Sequence, residues 1–287
     1  MSDNFLKFKK DLSLIEIELF SFCNRTCWFC PNSFIDRKSK NIEMDEKTYL
    51  NILKQLREIE FKGHITYSRY NEPLSQKELF LKRISQAREF LPDCTLKTNT
   101  NGDYLNQEYI KLLYEAGLNE LFIQQYSLDK NYNHEKLHNE ILNKIKKLNL
   151  SYELIYELNN YKIEYKLLYK NMRIQIRARN FNLDGSSRGN VIDLAGDYTR
   201  TKKCNQPFTD MYVDYNGNIM VCCALRSDIE DHSNGLMGNV NQSPIWDIYY
   251  NEKYIPWRNH HLNDGPKEGA CKTCKHGLKY EDNIQQK

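Results

Sequence analysis

The residues best suited to chemistry are three cysteines in the stretch CNRTCWFC: Cys23, Cys27 and Cys30. They stand at the spacing C-x3-C-x2-C, which is close enough for three thiolates to bind one metal centre. A structural zinc site would be closed by a fourth cysteine or histidine, and the loop contains neither. An iron–sulfur cubane held by three thiolates would instead keep one iron open for catalysis. Zinc and unpaired structural thiols are the alternatives.

A second cysteine set lies in the carboxyl-terminal third of the chain: Cys204, Cys222, Cys271 and Cys274. The first two frame the pattern C-x12-G-x4-C around Gly217, and the last two form a C-x2-C pair. The segment 212–223 predicts two short strands around an Asn-Gly turn, which would bring the first two thiols together. Four thiolates make a closed site, and spacing alone does not separate zinc from an iron–sulfur cluster.

Two cysteines are left over, Cys94 and Cys223. Cys94 is expected to be an ordinary buried thiol on a strand. Cys223 neighbours Cys222 and could replace it as a ligand. Because adjacent residues of a strand point to opposite faces, we expect Cys223 to be inert.

Aromatic and histidine residues of the last third have structural interpretations. Trp246 and Tyr249 stand at helical spacing and are expected to pack this part of the chain onto the rest. His260 and His261 are interpreted as surface or packing residues, because four thiolates already complete the nearby site.

Charge and hydropathy exclude several function classes. The formal charge of +3, from 41 basic and 38 acidic residues, gives no strong footprint for nucleic acid or a membrane surface. The run of Lys144, Lys146 and Lys147 is interpreted as a solvated helix face. No apolar stretch suits a signal peptide or a membrane span. Because nine cysteines without an export signal favour metal binding over disulfides, we expect a soluble, cytoplasmic protein.

The elements that must position these residues alternate between strands and helices, which is typical of βα units around a parallel sheet. The predicted strands cover residues 14–20, 64–70, 94–100, 120–127 and 172–180. The predicted helices cover residues 45–59, 76–90, 106–116 and 132–148. The stretch 151–170 is expected to hold one more strand, and the Gly/Ser/Asn-rich segment 182–190 is interpreted as a linker.

The predicted strands are polar for a parallel sheet, whose members are normally apolar on both faces. In MRIQIRARN, a period of two places Arg173, Arg177 and Arg179 opposite an apolar face. LIEIELF likewise places Glu16 and Glu18 opposite apolar residues. If the apolar faces pack on outer helices, the polar faces line a wet lumen, unlike the filled interior of an eight-stranded barrel. An edge strand with one solvated face is the alternative for any single strand.

The three-cysteine loop resembles the signature of the radical S-adenosylmethionine (SAM) enzymes, C-x3-C-x-aromatic-C, with Phe29 in the aromatic position. The resemblance implies an α/β fold, a partial (β/α)5–6 barrel. It also implies that the three cysteines hold a 4Fe-4S cluster whose fourth iron is chelated by SAM. Electron transfer would then cleave SAM to methionine and a 5'-deoxyadenosyl radical, which abstracts a hydrogen atom from the substrate.

Other stretches match the ordered motifs of this family. Its Gly-Gly-Glu-Pro stretch appears here as YNEP, so that both glycines are replaced and the Glu-Pro pair is kept. The resemblance implies that Asn71 and Glu72 contact SAM, with Glu72 accepting a hydrogen bond from its ammonium group. TNTNG, residues 98–102, resembles the family's Thr-Asn-Gly turn, in which Gly102 can take a positive φ.

Three further residues are interpreted as cofactor or substrate contacts. Phe29 belongs to the signature itself. Gln125 on the fourth predicted strand and Arg177 on the last are chosen from their lumen-facing parity.

The later cysteines resemble the SPASM and Twitch extensions of the same superfamily, which open with C-x9–15-G-x4-C. A full SPASM domain would add cysteines for two auxiliary clusters, whereas this set stops at four. The resemblance therefore implies a small Twitch domain, a β-hairpin plus a helix, in which the four thiolates hold one auxiliary 4Fe-4S cluster. It divides the chain into a radical SAM core, residues 1–181, and an auxiliary domain, residues 182–287.

The function expected is the oxidation of a small polar substrate such as a sugar, an aminocyclitol or a nucleoside, with a flavodoxin-like or ferredoxin-like reductant. The candidate substrate contacts are Arg69, Tyr70, Arg173 and Arg179. One alternative is a leader-independent enzyme that crosslinks or epimerises a short peptide. The alternative from another class is a zinc-binding, non-catalytic interaction protein.

Overall fold

The computed structural model describes residues 2–194 and 196–277, and within them ten strands form one sheet. The strands are β1 (Leu14–Ile17), β2 (His64–Thr66), β3 (Thr95–Thr100), β4 (Glu120–Gln125), β5 (Ser151–Leu158), β6 (Lys162–Tyr169), β7 (Met172–Arg179), β8 (Asp210–Val213), β9 (Asn218–Met220) and β10 (Leu236–Asn239). Their order across the sheet is β10-β9-β8-β1-β2-β3-β4-β7-β6-β5.

Helices connect and flank these strands. They are α1 (Asp3–Asp11), α2 (Glu46–Glu58), α3 (Lys77–Phe90), α4 (Gln107–Glu115), α5 (His134–Leu148), α6 (Phe181–Asp184), α7 (Gln206–Thr209), α8 (Ile245–Tyr249) and α9 (Tyr254–His260). In the part of the chain that the structure describes, no helix is long and apolar enough to cross a membrane.

The centre of the sheet is a row of parallel strands. β1, β2, β3, β4 and β7 pair in parallel in that order, and α2 to α5 follow the first four of them along the chain. The apolar faces predicted for the first and last of these strands are buried, with Ile15, Ile17, Ile174 and Ile176 all 0% exposed. This arrangement confirms the α/β class and the partial barrel.

The four helices that the sequence predicts, α2 to α5, begin within two residues of their predicted starts. Asp45 caps α2, because its carboxylate accepts a hydrogen bond from the backbone N of Lys47 at 2.7 Å. The buried face of α2 includes Tyr49, Ile52 and Leu53, which follow the helical period.

The stretch 151–170 differs from its prediction. It forms two strands, β5 and β6, which pair antiparallel with each other, and β6 pairs antiparallel with β7. The turn between them has Asn160 in the left-handed region at φ 58°, a conformation that asparagine tolerates. The prediction of a single strand here is therefore wrong.

The auxiliary part continues the sheet. β8 pairs in parallel with β1, and β9 pairs antiparallel with β8, which confirms the predicted hairpin around the Asn-Gly turn. Gly217 in that turn has φ 80°. The division at residues 181 and 182 stays a prediction.

Helix α1, which the sequence did not predict, packs the auxiliary part onto the core. The ring of Phe5 lies 5.1 Å from that of Trp246, and the ring of Phe8 lies 5.1 Å from that of Tyr249. Both pairs have the edge-on geometry that aromatic rings favour. The packing role predicted for Trp246 and Tyr249 is confirmed.

Candidate functional site

The carboxyl ends of the parallel strands open into a central cavity of about 330 Å³. Ligands of open α/β sheets bind at this edge. Residues from both parts of the chain line it, including Cys23, Cys27, Cys30, Glu16, Glu72, Arg177, Arg188, Cys223 and His276.

The three-cysteine loop closes on itself directly after β1. The backbone N of Cys30 donates to the carbonyl of Cys27 at 2.9 Å. Phe29 is 4% exposed, and its ring stacks on Phe181 with centroids 3.6 Å apart. Burial, reinforced by the neighbouring thiols, raises the pKa of Cys27 to about 12. A bound cationic iron centre would favour the thiolates, so the donor set fits a cluster.

Two arginines brace this loop. Asn32, which follows it, donates to the carbonyl of Tyr70 at 2.8 Å and accepts from Arg226 at 2.7 Å. Arg226 is 2% exposed and lies in the auxiliary part of the chain. Arg37 donates to the carbonyl of Ser21 at 2.8 Å. The auxiliary part therefore helps to position the three-cysteine loop.

Glu72 lies in the loop after β2 and is 3% exposed. Its Oε1 accepts from Thr100 Oγ1 at 2.5 Å and from the backbone N of Leu74 at 3.2 Å, and its Oε2 accepts from the backbone N of Asn101 at 2.8 Å. Burial raises the pKa of this carboxyl above its usual value, and these hydrogen bonds offset only part of that rise. A ligand ammonium group would favour the ionised form.

Asn71 also lines the cavity. Its Oδ1 accepts from the backbone N of Arg69 at 3.2 Å, whereas its buried Nδ2 has no hydrogen-bond partner among the described residues. A ligand acceptor in the cavity would satisfy this amide.

Gly102 turns the chain next to Glu72 with φ 74°, as predicted. A Cβ at this position would lie 2.8 Å from Ile123 Cγ2 and 3.1 Å from Lys144 Nζ. Lys144 Nζ donates to the carbonyl of Asn101 at 3.0 Å, and burial lowers its pKa. The interpretation of Lys144 as part of a solvated face is therefore wrong, whereas Lys146 and Lys147 are exposed.

The lumen face of β4 differs from its prediction. Gln125 points toward α5, where its Nε2 donates to Glu140 at 2.7 Å, and Gln124 lines the cavity instead. Gln124 Oε1 accepts from Arg177 Nε at 2.9 Å. Gln124 shares its strand face with Phe122, whereas Gln125 shares the buried face of Leu121, so the period of two could have identified Gln124.

The four candidate substrate residues divide between two places. Arg69, Tyr70 and Arg179 line the central cavity. Arg173 lies at the start of β7, where its side chain is 54% exposed and pairs with Glu120 at 3.3 Å. Arg173 is outside the cavity, so its selection as a lumen residue is wrong.

The auxiliary part contributes Arg188, Cys223 and His276 to the cavity wall. The sequence did not predict any of the three as a cavity residue. Cys223 Sγ lies 3.3 Å from Gln206 Nε2 and 3.8 Å from His276 Nδ1. Cys222 and Cys223 do face different sides, but both lie in the turn that follows β9, so the alternation of a strand is not the reason. The sequence also does not reveal that the side of Cys223 is the central cavity.

The four later cysteines line one hollow: Cys204, Cys222, Cys271 and Cys274. Pro207, Ala224 and Trp257 close it with apolar surface. All four thiols are free, and burial raises the pKa of Cys271 to about 12, with the neighbouring thiols adding to the shift. Four free thiols gathered in one hollow suit a bound metal centre.

Two further residues, Cys94 and His261, have structural contacts. Cys94 is 2% exposed and its thiol donates to the carbonyl of Phe61 at 3.0 Å, as expected of a buried thiol. His261 is 3% exposed, and its Nε2 lies 3.3 Å from Cys271 Sγ. This contact can orient the thiol, in the way that outer groups orient metal ligands.

The chain is similar to known proteins over nearly its full length. S-adenosyl-L-methionine-dependent 2-deoxy-scyllo-inosamine dehydrogenase of Niallia circulans is 29% identical over 269 residues, which cover 92% of this chain and 93% of the relative. The crystal structure of BtrN in complex with AdoMet and 2-DOIA matches with a TM-score of 0.63 and 25% identity over 92% of both chains. Native anSMEcpe with bound AdoMet has a TM-score of 0.57 at 13% identity over 96% of both chains, which supports the fold alone.

Two family models match successive parts of the chain. Residues 204–275 match the SPASM iron–sulfur cluster-binding domain, which favours iron–sulfur over zinc for the four later cysteines. Residues 17–172, more than half of the chain, match the radical SAM superfamily. The enzyme therefore uses SAM and a 4Fe-4S cluster, together with an auxiliary iron–sulfur site. The chain belongs to the radical SAM superfamily.

Proposed function

We propose that this enzyme is a dehydrogenase that oxidises an alcohol carbon of a small polar substrate of the sugar, aminocyclitol or nucleoside type. The observation that carries the proposal is the shared cavity. The three-cysteine loop forms one part of its wall, and Cys223, which follows auxiliary ligand Cys222, forms another. A substrate in this cavity would lie between the two metal sites. The similarity to a relative named as a dehydrogenase supports the same reaction.

The residues present fit the cofactors that this reaction needs. Cys23, Cys27 and Cys30 would hold the first cluster, and Glu72 with Asn71 would bind the amino group of SAM. Arg177, which has a hydrogen bond to Gln124 and faces the cavity, would bind its carboxylate. Bound together, SAM and the reduced cluster supply the 5'-deoxyadenosyl radical.

A two-electron oxidation must remove one hydrogen atom, one proton and one electron from the substrate. The deoxyadenosyl group would supply the acceptor for the hydrogen atom of the carbon, and a cluster held by Cys204, Cys222, Cys271 and Cys274 would supply the acceptor for the electron. Glu16, which lines the cavity, would accept the hydroxyl proton. Burial raises the pKa of Glu16 to about 8, near the range in which a general base works best at neutral pH. A flavodoxin-like or ferredoxin-like protein would reduce the first cluster.

A redox-neutral epimerisation of a short peptide is the second candidate, and the position of Cys223 favours it. A thiol in the cavity can give a hydrogen atom to a carbon radical from the face opposite to the abstraction. The C–H bond forms, the S–H bond breaks, and the external reductant with a proton then restores the thiol. Oxidation is preferred because the full-length similarity is to a dehydrogenase.

The test uses the anaerobically reconstituted enzyme and separates the two metal sites. Cys23→Ala should abolish 5'-deoxyadenosine formation. Cys271→Ala should keep much of the SAM cleavage but block the oxidised product. Iron content and a thermal melt verify that each variant is loaded and folded. Identical behaviour of the two variants, both folded, would contradict the separate roles of the two metal sites. Stoichiometric zinc without SAM cleavage would contradict the proposed enzymatic activity itself.

A further inference from the structure

The wall of the central cavity carries more positive than negative side chains. Five arginines line it, Arg25, Arg69, Arg177, Arg179 and Arg188, whereas its carboxylates are Glu16 and Glu72. Buried cations are normally paired with an anion or with a full set of acceptors. The pairing of each arginine therefore indicates what a ligand must supply.

Arg25 and Arg179 each lie near a carboxylate that does not line the cavity, whereas Arg69 lies near Glu16, which does. Arg25 pairs with Asp103 at 2.5 Å. Arg179 lies 3.6 Å from Asp184, at the edge of ion-pair distance. The protein balances the charge of these two guanidinium groups, although Arg25 Nη1 and Arg179 Nε have no hydrogen-bond partner among the described residues.

Arg69 is only partly satisfied. Its side chain is 1% exposed, and its Nη2 donates to the carbonyl of Leu225 at 2.7 Å. Glu16 lies 3.6 Å from its Nη1 and Glu18 lies 4.0 Å from its Nε, both at the edge of ion-pair distance. Nε and Nη1 nevertheless lack a hydrogen-bond partner among the described residues. Arg69 thus presents unused donors at the cavity.

Arg177 and Arg188 have no carboxylate within ion-pair distance in the ranges 2–194 and 196–277. Arg177 donates to the neutral amide of Gln124, and burial together with the neighbouring Arg179 lowers its pKa. The buried Nε of Arg188 has no hydrogen-bond partner there. The guanidinium of Arg188 lies 5.8 Å from the ring centre of Tyr70.

The backbone holds Arg188 in an uncommon conformation. Arg188, Gly189 and Asn190 have φ values of 50°, 69° and 74°, so three successive residues adopt the left-handed region. A Cβ on Gly189 would lie 2.6 Å from atoms of Leu225 and His232. Non-glycine residues in this region cost free energy, and such strain is concentrated at functional sites. The loop delivers Arg188 into the cavity rather than merely linking two domains.

SAM has one carboxylate, which can compensate one arginine. If Arg177 takes it, as in the function proposed above, the donors of Arg188 and Arg69 are left for the substrate. We propose that the substrate carries an oxyanion, a carboxylate or a phosphate, which Arg188 binds together with Arg69. This inference rests on the proposed function, since it assumes that the substrate shares the cavity with SAM. A guanidinium group matches the planar geometry of either oxyanion and can bind it through two hydrogen bonds.

The experiment measures binding without turnover, using reconstituted enzyme loaded with SAM and left unreduced. Isothermal titration compares glucose 6-phosphate, glucuronate and uncharged glucose, so that the phosphate and carboxylate arms are separate. Arg188→Gln removes the charge, and Arg188→Lys keeps it. Arg173→Gln is the matched control, because that arginine is on β7 but outside the cavity.

We expect one of the two oxyanion probes to bind at least about tenfold more tightly than glucose. Arg188→Gln should remove this preference, Arg188→Lys should keep part of it, and Arg173→Gln should leave it unchanged. The affinity for SAM and the iron content should be the same in all variants.

Two outcomes would overturn the inference. One is a wild-type enzyme that prefers neither oxyanion over glucose, a measurement that does not depend on whether the variants fold. The other is an Arg188→Gln enzyme that loses SAM affinity or iron but keeps the oxyanion preference, because the arginine would then serve SAM or the cluster. The proposed function fails separately, through the absence of 5'-deoxyadenosine or of an oxidised product.

Discussion

Cys222 and Cys223 are neighbours in sequence but face different sites. Cys222 lines the hollow of the four later cysteines, whereas Cys223 lines the central cavity beside His276. Both residues follow β9, which ends at Met220, and the turn after this strand directs the two thiols to different sides. This turn therefore connects the auxiliary site with the cavity that we propose for the substrate.

The Cys223 thiol distinguishes the two candidate reactions. In the dehydrogenase, Cys223→Ser should form 5'-deoxyadenosine and oxidised product within about twofold of wild-type rates, because oxidation needs no hydrogen donor. In an epimerase, the same variant would cleave SAM but form no epimer, and wild-type product made in deuterated water would carry deuterium. Mass spectrometry of reactions in deuterated water measures the oxidised product of the dehydrogenase and the deuterium in the product of an epimerase. Cys94→Ala is the control, because that thiol is buried elsewhere.

Glu72 is expected to bind the amino group of SAM. Glu72→Gln should weaken SAM binding by about tenfold or more, because it replaces a charge-assisted hydrogen bond with a neutral one. Titration of the reconstituted, unreduced enzyme with SAM measures the dissociation constant. Glu120→Gln, which alters a carboxylate paired with Arg173 outside the cavity, should leave that constant unchanged. Equal affinities for the Glu72 variant and the wild type would contradict the assignment.

The stability of the protein should depend on the protonation of Glu16. Burial raises its pKa from 4.5 to about 8, opposed first by Arg69, while Cys223, Glu18 and Arg188 also face it. The folded state binds this proton more tightly than the unfolded state. Its contribution to stability is therefore complete below about pH 4.5 and is lost as the pH rises through about 8.

Glu16→Gln removes this dependence. Between pH 5 and pH 8, the free energy of unfolding of the variant should rise relative to that of the wild type by an amount of the order of a few kcal/mol. The midpoint of thermal unfolding, measured for both proteins across this pH range, follows the change. Glu58→Gln, at an exposed carboxylate of α2, should show no such trend. Parallel pH profiles for Glu16→Gln and the wild type would rule out the raised pKa.

The sequence predicts the parallel sheet, both cysteine sets and the positive φ of Gly102, because each depends on local pattern or on spacing. The sequence does not reveal residues that reach the site only through packing between distant parts of the chain. Arg188 stands in a stretch with the composition of a linker, and only the docking of that loop against Leu225 and His232 turns it into the cavity. Lys144 contacts the turn at Asn101 because α5 packs against it. Gln125 is a different case, since the period of two already favours Gln124.

Gly102 couples the fold to the cofactor site. Gly102→Ala places a Cβ 2.8 Å from Ile123 Cγ2 at φ 74°. The change should lower the free energy of unfolding by about 1 kcal/mol or more, from backbone strain and crowding together. It should also weaken SAM binding, because the adjacent Asn101 backbone N donates to Glu72. Denaturant unfolding and SAM titration measure the two effects.

The matched control separates strain from crowding. Gly196 also has a positive φ, 56°, but a Cβ there would lie within 4 Å of no atom in the described part of the chain. Gly196→Ala should therefore show the backbone cost alone and leave SAM binding unchanged. If Gly102→Ala destabilised the protein no more than Gly196→Ala and bound SAM as the wild type does, the turn at Gly102 would not position Glu72. A larger loss of stability with weaker SAM binding, found only at Gly102, would instead tie the geometry of this turn to the carboxylate that it holds.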